Sequence, residues 1–232
     1  MTILSAHQSQ FLPWPPYFRK VAVADVFVWM DNVQFQRGKA TSVQNRNKIW
    51  SPNGPLWITL PVQKSGLATN ICDVHLVEGS LSKKSWKSIE VYRNSPYWVE
   101  HADALYKLLC EKRYTTLDAI NFAFFSYIIE YYEISTKIIL MSELQLNEQK
   151  SDLVLAMCKA CGANVYLSGT GSSAYLIEDD FAANSIEIRY LESVPPIYKQ
   201  FKSPSFEGLS MLDMMMNQSM DEIRRYLLEP VS

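Results

Sequence analysis

The chain has 232 residues, of which 48% are hydrophobic and 20% are charged, and this composition is typical of a globular protein with one sizeable core. Its net charge is −2 at pH 7. It therefore lacks the basic field that holds a nucleic-acid backbone, and nucleic-acid binding is not expected. The sequence contains neither an apolar run long enough to span a membrane nor a signal-peptide pattern. We expect a cytoplasmic protein that does not insert into a membrane.

The N-terminal part of the chain predicts a strand, a helix and a second strand. Residues 2–6 and 25–30 are apolar runs typical of buried strands, and residues 17–24 have helical spacing. This order predicts a βαβ unit with parallel strands. Ligands of such sheets bind at the carboxyl ends of the strands. His7 follows the first strand and Asp31 follows the second, so we expect both residues at the same edge.

The segments after this unit predict a hairpin, a further strand and three helices. Residues 43–49 and 56–62 read as the two strands of the hairpin, and residues 71–77 predict another strand. Apolar residues at three-four spacing then predict three helices, at 85–95, 96–109 and 115–134. Thr115 or Thr116 is the expected N-cap of the last one.

The C-terminal part returns to alternating strands and helices. Strands are predicted at 137–141, 164–168 and 186–191. Helices are predicted over 151–161 with Ser151 as N-cap, from about Ala174, and twice near the C-terminus after the caps Ser210 and Ser219. The whole pattern predicts an α/β fold with a Rossmann-like, mostly parallel sheet. We expect one unit over 1–232, with a strand-rich part at 1–80, a helical insertion or second subdomain at 81–135 and a second α/β part at 136–232.

His7 is the first candidate for chemistry. It follows a buried strand, precedes a rigid proline-rich loop, and has Gln8 and Gln10 beside it. Such a histidine can act as a general acid or base, or can donate a hydrogen bond to a phosphate. A structural histidine is the alternative, and the sequence leaves that choice open.

A second polar group follows the second strand and consists of Asp31, Asn32 and Gln34. Asp31 is suited to orienting His7, binding a hydroxyl group or accepting a proton from an amine. The alternative is a turn in which Asp31 and Asn32 bond the local backbone. Turn chemistry does not explain Gln34, so we favour a functional role for the group.

Two further groups are candidates for holding a ligand. Gln44, Asn45, Arg46 and Asn47 lie in one predicted strand, and the planar fork of Arg46 suits a carboxylate or a phosphate. A solvated charged strand is the alternative there. The other group lies between a predicted strand and a helix and consists of Ser168, Gly169, Thr170, Gly171, Ser172 and Ser173. Glycines there let a ligand approach the backbone, and helix N-termini bind anions. A plain turn is the alternative to this phosphate or carboxylate cradle.

The cysteines and histidines do not predict a metal site. Cys158 and Cys161 form a lone CxxC in a helical pattern, without the second ligand pair that zinc sites use. We expect two buried or half-buried helix residues in a reduced protein. No metal is expected.

Three blocks of the sequence together resemble the WbqC-like protein family. The first block is His7, Gln8, 10–14, Tyr17, Phe18, 31–35, 44–47 and Ile49. The second is 166–169, Gly171, Ser172, Tyr175 and Leu176, and the third is Tyr198, Gln200, Leu209, Ser210, Leu212 and Asp213. The chain departs from the family pattern at Pro15 and Pro16, where an apolar residue and glycine are common, and at Asn32, where an acidic residue is frequent.

The resemblance implies a role in bacterial cell-surface polysaccharide biosynthesis, including the O-antigen of lipopolysaccharide. It implies a transferase that moves an amino acid such as glycine, or another acyl group, to the amino group of a nucleotide-linked amino sugar. In that interpretation His7 and Asp31 are catalytic. The polar residues of the first block bind substrate: Gln8, Gln10, Trp14, Asn32, Gln34, Gln44, Asn45, Arg46 and Asn47. Ser168–Ser172 and Tyr175 bind a phosphate or a carboxylate.

Two other functions remain open. The opening segment is also similar to pantothenate synthetase and the wider HIGH-motif nucleotidyl transferases, but the second histidine of that motif is lacking. That likeness implies an ATP-dependent ligase or a nucleotidyl transferase that uses ATP and magnesium in place of an activated acyl donor. The third function is non-catalytic binding of a nucleotide-linked sugar. The sequence does not decide the cofactor or the oligomeric state.

Overall fold

The computed structural model describes residues 1–38, 42–78, 83–172 and 175–229. Within these residues the strands are β1 (Ile3–Gln8), β2 (Val26–Met30), β3 (Arg46–Ile49), β4 (Leu56–Thr59), β5 (Lys137–Leu140), β6 (Val165–Gly169) and β7 (Glu187–Leu191). The α-helices are α1 (Pro15–Ala22), α2 (Lys83–Ile89), α3 (Trp98–Tyr106), α4 (Leu117–Tyr131), α5 (Lys150–Ala160), α6 (Glu178–Ala183), α7 (Met211–Asn217) and α8 (Met220–Leu228).

The main sheet has five strands in the order β5-β2-β1-β6-β7, and every neighbouring pair is parallel. β1 and β2 pair directly with α1 between them in sequence, which confirms the predicted βαβ unit and the Rossmann-like α/β fold. The register aligns His7 with Trp29 and Gln8 with Met30. The residues that follow β1 and β2 therefore lie at the same edge of the sheet, as the sequence predicts.

Side chains alternate between two hydrophobic clusters on opposite faces of the sheet. On β2, Phe27 and Trp29 pack with α1 and α4, whereas Val26 and Val28 pack with α5 and α6. A parallel strand buried on both faces must be apolar at successive positions, which explains the continuous apolar run of β2. The helices after β1 cover one face and those after β5 and β6 cover the other, so the direction of winding changes between β1 and β6.

The aromatic helix α4 forms the centre of the larger cluster. Phe125 stacks on Phe18 and Phe27, with ring centroids 5.9 and 5.7 Å apart. Thr116 caps the helix by accepting from the backbone N–H of Ala119 at 3.3 Å, as predicted. Removing a buried ring of this kind typically costs about 3–5 kcal/mol of stability. The aromatic residues of α4 therefore serve the core.

A buried carboxylate connects the C-terminal segment to the rest of the chain. Asp213 accepts hydrogen bonds from Tyr92 Oη at 2.7 Å, Tyr198 Oη at 2.6 Å and Gln200 Nε2 at 3.1 Å. Burial raises the pKa of Asp213. The hydroxyl of Tyr92 also accepts from the backbone N–H of Trp50. These hydrogen bonds of Asp213 therefore link α7 in the third sequence block to the helical region, and we call them the C-terminal clasp.

Three predictions about local structure are wrong. Residues 71–77 do not form a strand, because their N–H groups bond several different segments, and Ile71–Asp73 is a 3₁₀ turn. Ser151 lies inside α5 instead of capping it, since its hydroxyl accepts from the backbone N–H of Ile177 at 2.9 Å. The helix expected from about Ala174, which lies outside the described residues, begins at Glu178.

The other predicted elements agree with the structure. β3 and β4 form the expected antiparallel hairpin, and the caps Ser210 and Ser219 hold the backbone N–H groups of α7 and α8. Cys158 is buried in α5 and Cys161 is half-buried at its end. In the described part of the chain, no helix has both the length and the apolar surface that crossing a membrane requires.

Candidate functional site

A cavity of about 340 Å³ opens at the carboxyl edge of the sheet, between β1 and β6. This is the point where the winding of the sheet changes direction, and open α/β sheets bind their ligands at such points. Most of the residues that line it come from the end of β1, from α1 and the loop before it, and from β6 and the segment after it, and single residues come from the end of β2, from the segment after β7 and from α5. They include His7, Gln8, Trp14, Tyr17, Lys20, Gly169, Gly171 and Tyr175. Six of these eight are predicted site residues, so the structure brings the first and second sequence blocks together.

His7 lies in β1 and its ring packs beside the ring of Tyr17, with centroids 4.8 Å apart. Burial and the charge of Lys20 lower the pKa of His7 to about 3, so the imidazole is neutral at physiological pH. Nδ1 lies 3.1 Å from the carbonyl oxygen of Gln8 and 3.4 Å from Nε2 of Gln10. The shorter contact requires the proton on Nδ1. That tautomer leaves Nε2 with a lone pair that can accept a proton.

Lys20 is a site residue that the sequence analysis missed. It lies on α1 with 7% of its surface exposed, and Nζ donates to the carbonyl oxygen of Ala6 at 2.8 Å. Burial lowers the pKa of Lys20 to about 7. The helical spacing contained the signal, because Lys20 follows Tyr17 by three residues and precedes the buried Val21. A lysine on the apolar face of a helix is a functional candidate.

Two buried polar atoms near His7 have no hydrogen-bond partner among the described residues. They are the hydroxyl of Tyr17, which is 2% exposed, and Oε1 of Gln10. A buried polar group without a partner costs about 1–3 kcal/mol. Tyr17 lines the cavity whereas Gln10 does not, so a polar ligand there would offset the cost at Tyr17.

The segment after β6 contributes its two glycines and Tyr175 to the cavity. A Cβ atom built on Gly171 meets no described atom within 4 Å, and neither Gly169 nor Gly171 has a positive φ. A ligand can therefore reach the backbone there. Ser168 is buried and its hydroxyl donates to the carbonyl oxygen of Gly169 at 3.3 Å. Thr170 is exposed on the 3₁₀ turn that ends at Ser172.

Neither helix near the cavity supplies the N-terminal anion site that the sequence suggested. α6 begins at Glu178, several residues after Gly171, and its first turn carries three carboxylates. α1 begins with Pro15 and Pro16, which have no N–H group to donate. The N–H of Tyr17 bonds the carbonyl oxygen of Trp14. Any anion in the cavity must therefore rely on side chains and on the glycine backbone.

Asp31 lies at the same edge as His7, but on the side of β1 that faces β2 and β5. Its Oδ1 accepts from the backbone N–H of Ser142 at 3.0 Å, and its Oδ2 accepts from the Ser142 hydroxyl at 2.6 Å. Asp31 is buried and does not belong to the lining of the His7 cavity. The carboxylate holds the turn that follows β5. The structure does not bring it to His7.

The neighbours of Asp31 also lie outside this lining. Gln34 is exposed, and its Nε2 donates to the carbonyl oxygen of Leu67 at 2.7 Å. Asn32 is half-buried, and its Oδ1 has no partner among the described residues. These contacts place the two side chains in the loops beside the hairpin.

Gln44 does not line the cavity but bonds Gln8, which does. It is buried, its Nε2 donates to Oε1 of Gln8 at 3.0 Å, and its Oε1 accepts from the backbone N–H of Gln36 at 2.6 Å. Asn47 is also buried, and its Nδ2 donates to the carbonyl oxygen of Leu12 at 2.7 Å. Leu12 has a φ of +45°, which costs energy in a residue other than glycine. Both amides therefore hold the loop after β1 in shape.

Asn45 and Arg46 complete the predicted group but face the hairpin. Asn45 Nδ2 donates to the carbonyl oxygen of Leu60 at 3.0 Å. Arg46 Nε donates to the carbonyl oxygen of Ser42 at 3.3 Å, and its guanidinium lies 4.4 Å above the ring of Trp57. Neither residue belongs to the lining of the cavity. Nowhere in the described ranges do three or more His, Cys, Asp or Glu side chains cluster as a metal site would require.

Comparison with known proteins assigns the chain to a family. The model of the WbqC-like protein family matches residues 8–225, which includes every residue of the cavity lining except Ala6 and His7. "Uncharacterized protein Rv1507c" of Mycobacterium tuberculosis (strain ATCC 25618 / H37Rv) is 29% identical over 213 residues, covering 90% of this chain and 91% of that protein. No solved structure matches the chain. The chain belongs to the WbqC-like protein family.

Proposed function

We propose that the protein is a cytoplasmic transferase of bacterial cell-surface polysaccharide biosynthesis. It transfers an amino acid such as glycine, or another acyl group, to the amino group of a nucleotide-linked amino sugar. The observation that carries the proposal is the cavity between β1 and β6, which joins the imidazole of His7 to a glycine turn that a ligand can approach. Membership of the WbqC-like family supports the biosynthetic setting.

In the proposed reaction the sugar amine attacks the carbonyl carbon of the acyl donor. A C–N bond forms, the bond between that carbon and the donor's leaving group breaks, and the nitrogen loses a proton. His7 Nε2 accepts this proton, because the contact between Nδ1 and Gln8 keeps Nε2 in its basic form. The low pKa of His7 keeps the imidazole neutral at physiological pH but also makes it a weak base, so the proton is transferred as the C–N bond forms and the nitrogen becomes acidic. General acid–base catalysis of this kind contributes about 10²–10⁴-fold.

The walls of the cavity are suited to a sugar nucleotide. Trp14 and Tyr175 supply aromatic rings on opposite chain segments, one before α1 and the other after β6. Aromatic faces pack against sugar rings and bases while their edges remain free for polar contacts. Gln8 also lines the cavity, and its amide can bond hydroxyl groups.

An ATP-dependent ligase or nucleotidyl transferase is the second candidate function. The strand order favours it, since a change of winding beside the first strand is the arrangement that binds nucleotides in doubly wound sheets. This candidate requires a nucleoside triphosphate and magnesium for turnover and releases pyrophosphate. A third candidate, non-catalytic binding of a nucleotide-linked sugar, requires ligand binding that survives loss of His7 and the absence of product with every donor.

A thermal-shift screen followed by a product assay tests the proposal. The first ligand set contains nucleotide-linked amino sugars and their non-amino counterparts, and the second contains ATP, CTP and GTP with magnesium. A ligand at about 100 times its Kd adds about 2.7 kcal/mol, which raises Tm by several degrees. The proposal expects stabilisation by amino sugars and an acylated product by mass spectrometry. Stabilisation by a triphosphate with release of pyrophosphate would instead establish the second candidate.

A further inference from the structure

Lys20 is a buried amine without a counterion from the protein. Its Nζ donates one hydrogen bond, to the carbonyl oxygen of Ala6. Among the described residues no Asp or Glu forms an ion pair with it. An ammonium group has three N–H donors, so two remain for other partners. Because Lys20 belongs to the cavity lining, those partners can come from a ligand.

A buried charge of this kind is costly unless something neutralises it. Proteins pair buried lysines with carboxylates or leave them uncharged, and a lone buried ammonium loses its hydration without compensation. Burial makes the charged form of Lys20 less stable, and this effect is the cause of its lowered pKa. An anion that entered the cavity would supply the missing partner and return the amine to its charged form.

A second observation points to the same ligand chemistry. Tyr17 belongs to the same cavity lining, and its buried hydroxyl has no hydrogen-bond partner among the described residues. Tyr17 and Lys20 are three positions apart on α1, so their side chains emerge from neighbouring places on one face of the helix. Both groups are hydrogen-bond donors. Two hydrogen-bond donors on the same wall of the cavity are suited to binding an oxyanion.

We propose that Lys20 and Tyr17 bind a phosphate group of the ligand, opposite the backbone of Gly169 and Gly171. The inference rests on the proposed function, because it names the part of a nucleotide-linked sugar that this wall of the cavity recognises. A phosphate fits better than a carboxylate because its tetrahedral oxygens can reach α1 and the glycine turn at once. The prolines at the start of α1 remove the backbone donors that commonly bind phosphate, and Lys20 takes their place.

Binding of UDP and inorganic pyrophosphate, measured by calorimetry, tests the proposal with wild-type protein and two variants. Lys20→Met keeps the apolar part of the side chain and removes the amine, and Lys159→Met makes the same change at an exposed position of α5. Lys20→Met is expected to weaken binding at least 10-fold, whereas Lys159→Met is expected to bind as the wild type does. Equal binding by all three proteins, or no binding of either probe to the wild type, would overturn the proposal.

Reductive methylation of the wild-type protein gives a second test that does not depend on a variant folding. Formaldehyde and cyanoborohydride methylate neutral amines, so Lys20, which lines the cavity and has a lowered pKa, is expected to be labelled at pH 7.5. Pyrophosphate or UDP is expected to protect Lys20, as read by peptide mass spectrometry. Unchanged labelling with saturating probe, or protection by glycine and acetate alone, would refute the phosphate assignment. Protection without any acyl transfer would leave this inference standing and reject the proposed function.

Discussion

Lys20 Nζ lies 2.8 Å from the carbonyl oxygen of Ala6, the residue that immediately precedes His7 on β1. This contact fixes the amine of α1 beside the imidazole of β1, and the charge of Lys20 contributes to the low pKa of His7. An anion on Lys20 would screen that charge. In the proposed function, a phosphate bound in the cavity would add negative charge beside His7, which would raise the pKa of the imidazole and make it a stronger base.

His7→Ala is expected to lower the rate of acyl transfer by about 10²–10⁴-fold, the usual contribution of a general base. Its Tm should fall by less than that of a core truncation, because the imidazole lies at the cavity wall, where its neighbours are the carbonyl of Gln8 and the ring of Tyr17. His75→Ala, at an exposed histidine, is the matched control. Steady-state rates and thermal denaturation of both variants provide the comparison. Full activity in His7→Ala would show that another group accepts the proton.

Gly171→Ala is expected to fold normally and to bind the nucleotide-linked sugar less tightly. The added methyl group meets no described protein atom, and the φ of Gly171 suits an alanine. The free energy of unfolding should stay unchanged or rise by about 0.4–1 kcal/mol, because alanine restricts the unfolded chain. Gly66→Ala, in an exposed loop where the added Cβ makes only an ordinary 3.6 Å contact with Thr69, is the control. Undiminished affinity in Gly171→Ala would mean that the ligand does not approach this turn.

Asp31→Asn is expected to destabilise the protein while leaving the rate of the folded enzyme nearly unchanged. The substitution disrupts two hydrogen bonds from Ser142, and a buried group left unpaired costs about 1–3 kcal/mol. Urea denaturation and rates measured well below Tm separate the two effects. Asp73→Asn at an exposed carboxylate serves as the reference. A large loss of rate with unchanged stability would instead support the catalytic role that the sequence suggests for Asp31.

The stability of the unliganded protein is expected to rise with pH above neutrality because of Lys20. Burial lowers the pKa of this amine from 10.5 to about 7, so between these values the unfolded chain binds a proton that the folded chain does not. The free energy of unfolding therefore rises with pH in this range, by up to about 1.4 kcal/mol per unit. His7 and Tyr17, the titratable groups beside it, stay neutral in the folded protein throughout the range.

Urea denaturation of wild type and Lys20→Met between pH 7.5 and 9.5 isolates this contribution, since all other groups are common to both proteins. The wild-type curve should rise more steeply than that of the variant. Parallel curves would mean that Lys20 keeps its ordinary pKa in the folded protein. A partner would then have to stabilise its charge.

Asp213→Ala is expected to lower the free energy of unfolding by at least about 3 kcal/mol. It leaves the donors of Tyr92, Tyr198 and Gln200 without their acceptor, and each buried unpaired group costs about 1–3 kcal/mol. Asp221→Ala, at an exposed position of α8, should cost far less. Chemical denaturation compares the two variants. A small effect in Asp213→Ala would show that the C-terminal clasp is not a major source of stability.

The sequence predicted the parts of the fold that depend on local patterns. The apolar run of β2, the hairpin and the caps Thr116, Ser210 and Ser219 each follow from a few adjacent residues. The parallel βαβ unit then brought His7 and Asp31 to one edge of the sheet. Local patterns also revealed the glycines after β6, because a strand followed by small residues is recognisable without tertiary contacts.

The features that the sequence could not supply depend on strand order. Nothing in the pattern indicates that β6 pairs with β1 on the side opposite β2, and this pairing decides that Gly171 lines the same cavity as His7 while Asp31 does not. The amides of Gln44 and Asn47 resemble ligand-binding groups in the sequence because their partners, Gln8 at the end of β1 and Leu12 in the loop after it, are distant along the chain. Lys20 was missed because lysines are usually exposed.

The crystal structure of the protein with the nucleotide-linked amino sugar that gives the largest thermal shift would show whether the cavity between β1 and β6 is the substrate site. We predict that the ligand lies between β1 and β6, with a phosphate near Lys20 and Gly171 and the amino group near Nε2 of His7. A ligand bound instead at the hairpin beside Arg46 and Trp57, or beside Asp31, with the His7 cavity unfilled, would show that the cavity is not the substrate site.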